Sequence, residues 1–342
     1  MSRRKKRPTS AQPVAKASQI ASTKATKAQH RRSLLAVGSV LAVLSVLGLG
    51  LWWVNRSSAT ASNFPVGEVT SCKQIPPFAQ AQGFGVNAVL DTQARRVRGM
   101  VMYDLTSDGQ EASQPAPYQH PSWSKAGYLS SPILDRDGAI YVGAVPWVSI
   151  LYNPPAAANK VYRIDPRTAE LSELLDLPTA APANNTNPYG ILALNYDCNT
   201  HSLYVSSVLG STKDQQFGRI FRVDLATNKA SIVIDGVDSF GIGVYNGNTG
   251  KRLYYALARQ PQIYSIALDN QGNPTGQPRQ EIDFSGQGYH GDERGRRISF
   301  GDATMQVRIV QFDYTLTAVT NPNETTLSYR YNPQTDSWQA EP

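Results

Sequence analysis

Acidic residues are missing from the first part of this 342-residue chain, where no Asp or Glu precedes Glu68. Eleven Lys or Arg residues lie in that same part, so the formal net charge of +7 has its origin there. With these eleven set aside, 22 basic and 26 acidic residues remain, a net charge of −4. A mildly acidic body excludes a broad nucleic-acid surface, which needs clustered positive charge, so we expect no nucleic-acid partner.

Charge of either sign is absent from the 21 residues Leu34–Val54, which end in Trp52, Trp53 and Val54. At about 1.5 Å per residue a helix of this length spans roughly 31 Å, close to the hydrocarbon thickness of a bilayer. Ten of the eleven basic residues precede the span, which by the positive-inside rule keeps the amino terminus cytoplasmic. The sequence therefore predicts a single-pass membrane protein that contacts the lipid bilayer through residues 34–54.

Four segments follow from this interpretation: a basic, disordered cytoplasmic tail (1–33), the transmembrane helix (34–54), a tether (55–65) and an extracytoplasmic domain (66–342) in the periplasm or at the cell surface. A cleaved export signal is the alternative. Residues 31–35 (RRSLL) resemble a twin-arginine motif, and Ala59-Thr60-Ala61 offers small residues for a peptidase. The length of the apolar run and its closing Trp pair favour a retained anchor.

Cysteine is scarce, with only Cys72 and Cys198, both in the predicted external domain. A disulfide persists in that compartment and would close a loop of more than a hundred residues. We therefore expect the two to pair, with two unrelated buried thiols as the alternative.

Long apolar helical stripes are also missing after residue 66, and short strands take their place. Alternation of apolar and polar residues up to an Asp marks one recurring strand, which occurs at residues 161–168, 220–227 and 263–270. A preceding strand recurs at 140–142, 203–205 and 253–255, and Asp135–Gly138 and Asn246–Gly250 have the composition of hairpin turns. Leu171–Leu177 and Ala230–Ile234 fit a following edge strand.

Repeated four-stranded units at roughly 45–60 residue spacing are typical of a β-propeller. The chain from Gly83 to Trp338 resembles bacterial propellers of the NHL and gluconolactonase-like (SMP-30-type) kind. Five units align, and Val66–Phe78 is expected either to close the ring with the last blade or to belong to a sixth. The predicted fold class is thus all-β, a propeller of five or six four-stranded blades, and a two-sheet sandwich is the alternative.

Chemical motifs are few, since neither a Gly-x-Ser-x-Gly elbow nor a phosphate-cradling loop occurs and the four His residues are too scattered for a spaced zinc pattern. Polar residues do stand near the predicted starts of first strands: Asn87, Ser130, Asn187, Asp238 and Asp302. The resemblance to gluconolactonase-like propellers implies a metal held by such residues, and oxygen ligands suit Ca²⁺ or another divalent cation. The alternative is that they are polar turn groups.

His290 lies in the most charged loop of the body, beside Asp292 and Glu293, and is the candidate catalytic base. A solvated loop without chemistry is the alternative.

Long aromatic and proline-rich loops, among them residues 145–148 and 152–159, are typical of binding segments on a rigid scaffold. The predicted function is a membrane-anchored platform that binds an envelope protein or a glycan. A divalent-metal-dependent lactone or ester hydrolase of the gluconolactonase-like kind is the alternative.

Overall fold

The computed structural model describes residues 64–93, 97–146, 150–315 and 323–341. The predicted tail, transmembrane helix and most of the tether lie outside these residues, and those assignments stay predictions. Within the described ranges no helix is both long and apolar enough to cross a membrane. Helical structure there is limited to α1 (Pro77–Ala81) and two single 3-10 turns, Trp123–Ala126 and Pro155–Ala157, which confirms the all-β class.

The described strands form five antiparallel sheets. A two-stranded sheet comes first, made of β2 (Ala88–Asp91) and β3 (Val101–Asp104). The second sheet has β4 (Ile133–Leu134), β5 (Ile140–Gly143), β6 (Lys160–Ile164) and β7 (Leu171–Asp176), and the third has β8 (Ile191–Asp197), β9 (Ser202–Ser207), β10 (Arg219–Asp224) and β11 (Lys229–Asp235). The fourth has β12 (Ser239–Gly247), β13 (Gly250–Leu257), β14 (Gln262–Leu268) and β15 (Pro274–Asp283), joined by the short β1 (Gly67–Glu68). The fifth has β16 (Arg294–Phe300), β17 (Thr304–Val310), β18 (Thr325–Asn332) and β19 (Ser337–Ala340).

Each four-stranded set is a meander, because strands that follow one another in the chain are hydrogen-bonded neighbours in the sheet. The predicted second, third and edge strands coincide with β5, β6 and β7, with β9, β10 and β11, and with β13 and β14. The two predicted hairpin turns join β4 to β5 and β12 to β13. These strand and turn predictions are confirmed.

The sheets pack face to face in chain order, with an apolar core between each pair of neighbours. Phe78, Met102 and Ile140 belong to the core between the first and second sheets, and Val244, Leu253 and Ile220 to the one between the third and fourth. Further cores join the second sheet to the third and the fourth to the fifth. Serial four-stranded meanders packed in this way are propeller blades, so the two-sheet sandwich is wrong.

The central strands are covered on both faces, which explains why their sequences read as continuous apolar or small runs. Every residue of β12 is buried, whereas in β17 only Met305, Val307 and the last two residues are buried and the polar residues between them are exposed. The fifth sheet is therefore apolar on one face only.

The stretch Val66–Phe78 does not close the ring with the last sheet, and it forms no blade. Its strand β1 pairs with β12, with Gly67 opposite Asn246 and Glu68 opposite Tyr245. The chain then passes the turn after β8, where the Cys198 N–H donates to the Val69 carbonyl, and the turn after β4, where the Gln74 N–H donates to the Asp135 carbonyl. We call residues 64–78 the strap, because they cross the hairpin turns of three sheets. The sequence missed this role because a two-residue strand carries no readable period.

Cys72 and Cys198 are joined by a disulfide, as predicted. The bond links the strap to the turn between β8 and β9.

The first predicted unit, Gly83 to Met102, departs from the four-stranded pattern. Only β2 and β3 form a ladder there, and Met102 makes one further bridge with Tyr118. Trp123 is fully buried, and its indole N–H donates to the Ala169 carbonyl. The buried Trp123 ring belongs to the apolar core between the first and second sheets.

Candidate functional site

The two ends of the sheets carry different segments. One end, which we call the loop face, holds the connections that precede β8, β12 and β16 and those that follow β5, β9 and β13. The other end, the hairpin face, holds the tight turns β4–β5, β8–β9, β12–β13 and β16–β17, and the strap. Side chains at the starts of first strands therefore belong to the loop face.

Asn187 lies on the loop face, completely buried, just before β8. Its amide nitrogen donates to the Val208 and Ser211 carbonyls at 2.9 and 3.0 Å, and its side-chain oxygen accepts the Tyr189 N–H at 2.9 Å. These bonds fasten the loop before β8 to the loop after β9. The polar atoms of Asn187 are thus engaged by the protein itself.

Asp238 is buried at the start of β12 and accepts four hydrogen bonds. One carboxylate oxygen binds the Ser211 hydroxyl at 2.6 Å and the Gly218 N–H at 2.8 Å, and the other binds the Arg259 Nε at 2.9 Å and the Tyr314 hydroxyl at 2.6 Å. Burial, together with this bond to Asp238, raises the pKa of Tyr314. Ser211 thus bridges Asn187 and Asp238, and two of the predicted metal residues come together.

Arg259 completes this network from the loop after β13. Its terminal nitrogens donate to the carbonyls of Thr212, Lys213 and Gln215, so the guanidinium clamps the loop after β9 while its Nε holds Asp238. Arg259, Ser211 and Tyr314 were not predicted as site residues, because they follow the second strands β13, β9 and β17 and do not stand at the starts of first strands. The loops that follow second strands return to the loop face, and this topology could have indicated that their side chains meet those at the starts of first strands.

The other predicted metal residues lie apart from this pair. Asn87 is exposed before β2, and Ser130 is buried, where its hydroxyl accepts the Gly143 N–H at 2.9 Å. Asp302 is in the β16–β17 turn, where its carbonyl accepts the Tyr245 hydroxyl. Tyr245, which contacts Asp302, stands seven residues along the chain from Asp238, roughly 23 Å of extended strand at about 3.3 Å per residue. Asp302 is therefore at the opposite end of β12 from Asp238. The predicted place of Asp302 near the start of a first strand is wrong, because β16 begins at Arg294 and Asp302 follows its last residue, Phe300.

His290 is exposed on the loop before β16, and its ring meets that of Tyr289 edge-on at 4.7 Å. Within the described residues no hydrogen bond joins the His290 ring to Asp292 or Glu293. Glu293 is buried, and its carboxylate accepts the backbone N–H groups of His290 and Gly291. Burial alone would raise the pKa of Glu293, but these backbone donors outweigh burial and lower the pKa. The Glu293 carboxylate thus holds the backbone of the loop before β16 in place.

One group of possible metal ligands lies on the hairpin face: Asp135, Asp137 and His201 offer ligand atoms within 4.8 Å of one another. Asp135 already accepts the Asp137 and Ala139 N–H groups and the Tyr141 hydroxyl. Burial first, and then the charge of Arg136, lowers the pKa of His201. The hydrogen bonds of Asp135 hold the β4–β5 turn together.

A second feature of the loop face is apolar. The connection between β5 and β6 exposes Ile150, Leu151 and Tyr152, which are 51%, 75% and 42% accessible. Its base is fixed by the buried Asn153, whose side-chain oxygen accepts the Tyr128 N–H at 2.9 Å and whose nitrogen donates to the Tyr128 and Ala126 carbonyls. We call residues 150–153 the apolar tip.

The position of Tyr152 is fixed from two further sides. The Arg98 guanidinium lies 4.4 Å from the centre of its ring, and the Tyr128 ring meets it edge-on at 6.2 Å. Gly127, with φ of 75°, passes so close that a Cβ there would meet the Tyr152 carbonyl. The apolar tip is consequently exposed yet held by packing and hydrogen bonds.

No family model and no curated protein matches the chain. Among solved structures it is loosely similar to a luciferin-regenerating enzyme, at 11% identity over 81% of this chain and 80% of that one, with a TM-score of 0.43. It is similar to a calcium-binding regucalcin from Agrobacterium tumefaciens at 13% identity, 73% and 75% coverage and a TM-score of 0.39. It is also similar to TolB from Acinetobacter baumannii, at 14% identity over 77% of this chain and 55% of that one, with a TM-score of 0.43. The predicted loose resemblance to propellers of the SMP-30 kind is confirmed.

Proposed function

We propose that this protein is a membrane-anchored, extracytoplasmic propeller whose loop face binds another protein of the cell envelope. The observation that carries the proposal is the apolar tip, which exposes three large apolar side chains on an anchored base. Exposed apolar groups that are held in place typically mark interaction sites, and a rigid base lowers the entropy lost on binding. We take the five sheets as five blades, the first reduced to β2 and β3.

A protein partner fits the apolar tip better than a glycan does. Ile150 and Leu151 offer only aliphatic surface, and the Tyr152 ring is already in contact with the Arg98 guanidinium. Apart from the Tyr152 hydroxyl, the polar side chain of the tip is Asn153, which is buried and forms its hydrogen bonds with Tyr128 and Ala126. Sugar hydroxyls would find few partners there, whereas an apolar recess on a protein would accept these side chains directly.

The alternative, a divalent-metal-dependent lactone or ester hydrolase, needs several free oxygen ligands around one point. Asn187 and Asp238 approach each other through Ser211, which favours this alternative. Their oxygens, however, are engaged by Tyr189, Arg259, Tyr314, Ser211 and Gly218, and a metal would have to displace these donors. We therefore place the hydrolase second.

Photo-crosslinking of the full chain in host membranes tests the proposal. A photoreactive residue at Ile150 is expected to yield a discrete adduct with one protein. A matched control at Ile232, which is 44% accessible on the edge strand β11, is expected to yield none. Leu151→Asp should raise the dissociation constant of the complex that forms the adduct by about 30-fold or more, as expected for an interface hot spot. Equal adducts from both positions, or none from Ile150, would contradict the proposal.

A further inference from the structure

The fifth sheet has two unlike faces. Its apolar face, with Ile298, Met305 and Val307, packs on the fourth sheet. Its other face is polar and exposed along its middle, where it presents the side chains of Arg297, Ser299, Gln306, Arg308 and Thr326. In an inner sheet of the same fold both faces are covered, as in β9 and β12. The polar face is thus a distinct surface, separate from the apolar tip.

Two arginines stand directly opposite each other on this polar face. Arg297 of β16 is the register partner of Arg308 of β17, and Ser299 is the partner of Gln306. Thr326 of β18 is in turn opposite Arg308. Like charges placed opposite each other across a ladder destabilise a sheet, so an Arg pair here needs compensation.

The neighbouring carboxylate compensates only part of this charge. Glu324 lies 3.3 Å from the Arg308 Nη1 and is shared with Arg296. Within the described residues Arg297 has neither a hydrogen bond nor an ion pair. Partial desolvation first, and then the charges of Arg308 and Arg296, lowers the pKa of Arg297. Burial is the main cause of the lowered pKa of Lys73 in the strap; Glu68 opposes this shift and the charge of Arg297 adds to it, so Lys73 is a further cation near this guanidinium.

The same five side chains line a recess of about 100 Å³. Roughly three water molecules take up this volume in the liquid, and it is enough for a small tetrahedral anion. The guanidinium groups offer paired N–H donors whose geometry matches phosphate and sulfate oxygens, and the hydroxyls of Ser299 and Thr326 add two more donors. Donors outnumber acceptors in the recess, and its net charge is positive.

We propose that Arg297, with Arg308, Ser299 and Thr326, forms a binding site for a tetrahedral oxyanion, phosphate or sulfate, on the polar face of the fifth sheet. The anion supplies the negative charge that the Arg297–Arg308 pair lacks. Its oxygens accept hydrogen bonds from both guanidinium groups and from the two hydroxyls. This site is independent of the protein-binding role of the loop face, since the two share no residue.

Isothermal titration calorimetry of the full chain in detergent tests the site, with inorganic phosphate, sulfate and glucose 6-phosphate as probes. Saturable binding is expected, and Arg297→Gln should weaken it about tenfold or more, as expected when a charge-assisted contact is lost. Arg330→Gln is the matched control. Arg330 is on the same sheet but is paired with Glu341 at 2.6 Å, so its loss should leave binding unchanged. Binding of glucose 6-phosphate as well as phosphate would identify the terminal phosphate of a larger molecule as the source, and binding of inorganic anions alone would identify the free ion.

Ser299→Ala provides a second variant that removes one exposed hydroxyl and leaves the charge in place. It is expected to weaken phosphate binding severalfold without changing the unfolding temperature. The proposal is overturned if no probe gives saturable heat, if Arg297→Gln binds as tightly as the unaltered protein, or if chloride at equal ionic strength abolishes the binding completely.

Discussion

At the scale of single residues, the ion pair of Lys251 and Asp197 links two sheets at the hairpin face. The Lys251 ammonium lies 2.7 Å from Asp197, and both side chains are buried, with exposures of 1% and 0%. Burial lowers the pKa of Lys251, and the charge of Asp197 opposes this shift. The Phe64 ring lies 4.6 Å from the same ammonium and shields it from the strap side. A buried pair of this kind is vulnerable mainly to loss of one partner.

Lys251→Ala should therefore lower the free energy of unfolding by about 3–5 kcal/mol, because Asp197 would be left as an unpaired buried charge. Urea unfolding of the full chain in detergent measures this. Lys213→Ala is the control, since the Lys213–Asp214 pair is 84% and 73% exposed and should matter by less than about 0.5 kcal/mol. In the double variant Lys251→Met, Asp197→Leu we expect most of the loss to be recovered. Equal losses from Lys251→Ala and Lys213→Ala would contradict this account.

At the scale of elements, the sequence predicts strands well wherever local period and turn chemistry agree. The alternation in Ile220–Asp224 and the Asp-Arg-Asp-Gly turn at 135–138 are sufficient for β10 and for the β4–β5 hairpin. The two-residue β1 carries no period, so its pairing with β12 is decided by tertiary contacts alone. Asp302 was expected near the start of a first strand, but β16 ends before it, and a register shift between Gly295 and Arg297 interrupts the alternation that would have located this strand.

The sites were less predictable than the strands for the same physical reason. Asn187 and Asp238 could be placed at strand starts, but Arg259, which binds Asp238, lies in the loop after β13, 21 residues farther along the chain. The apolar tip could be read as a long loop, whereas its anchoring by Asn153 depends on a bond to Tyr128, 25 residues away. Side chains that bond across loops leave no periodic signal.

Asn153→Ala should release the apolar tip without unfolding the domain. The buried Tyr128 N–H would lose its partner, and the Tyr128 carbonyl would keep only the Val145 N–H of its two donors, which together costs about 1–3 kcal/mol. Hydrogen-exchange mass spectrometry should then show faster exchange in residues 144–159, and the adduct expected from Ile150 should weaken. Asn185→Ala, at an exposed position on the loop before β8, is the matched control and should change neither. Unaltered exchange in the Asn153 variant would show that other contacts hold the tip.

At the scale of the whole molecule, the strap joins sheets that are distant in the chain. It pairs with β12 through β1, meets the β8–β9 turn at Cys198, and reaches the β4–β5 turn through Gln74. Gly138 in that turn, with φ of 79°, leaves room for Pro76, whose Cα would lie 3.0 Å from an added Cβ. Three sheets are thus tied across the hairpin face by one segment, which the disulfide fastens at its middle.

Replacing both Cys72 and Cys198 by Ser should lower the free energy of unfolding by about 4–5 kcal/mol, because the bond closes a loop with a sequence separation of 126. Chemical denaturation of the full chain in detergent measures the loss. Adding a reductant to the unaltered protein should give the same value, and adding it to the double variant should change nothing. Hydrogen exchange should rise in residues 64–78 and in the β8–β9 turn before it rises in β12, whose residues are all buried. A double variant as stable as the oxidised protein would mean that β1 and the strap's backbone hydrogen bonds suffice to hold the three sheets, and the role assigned to the disulfide would be wrong.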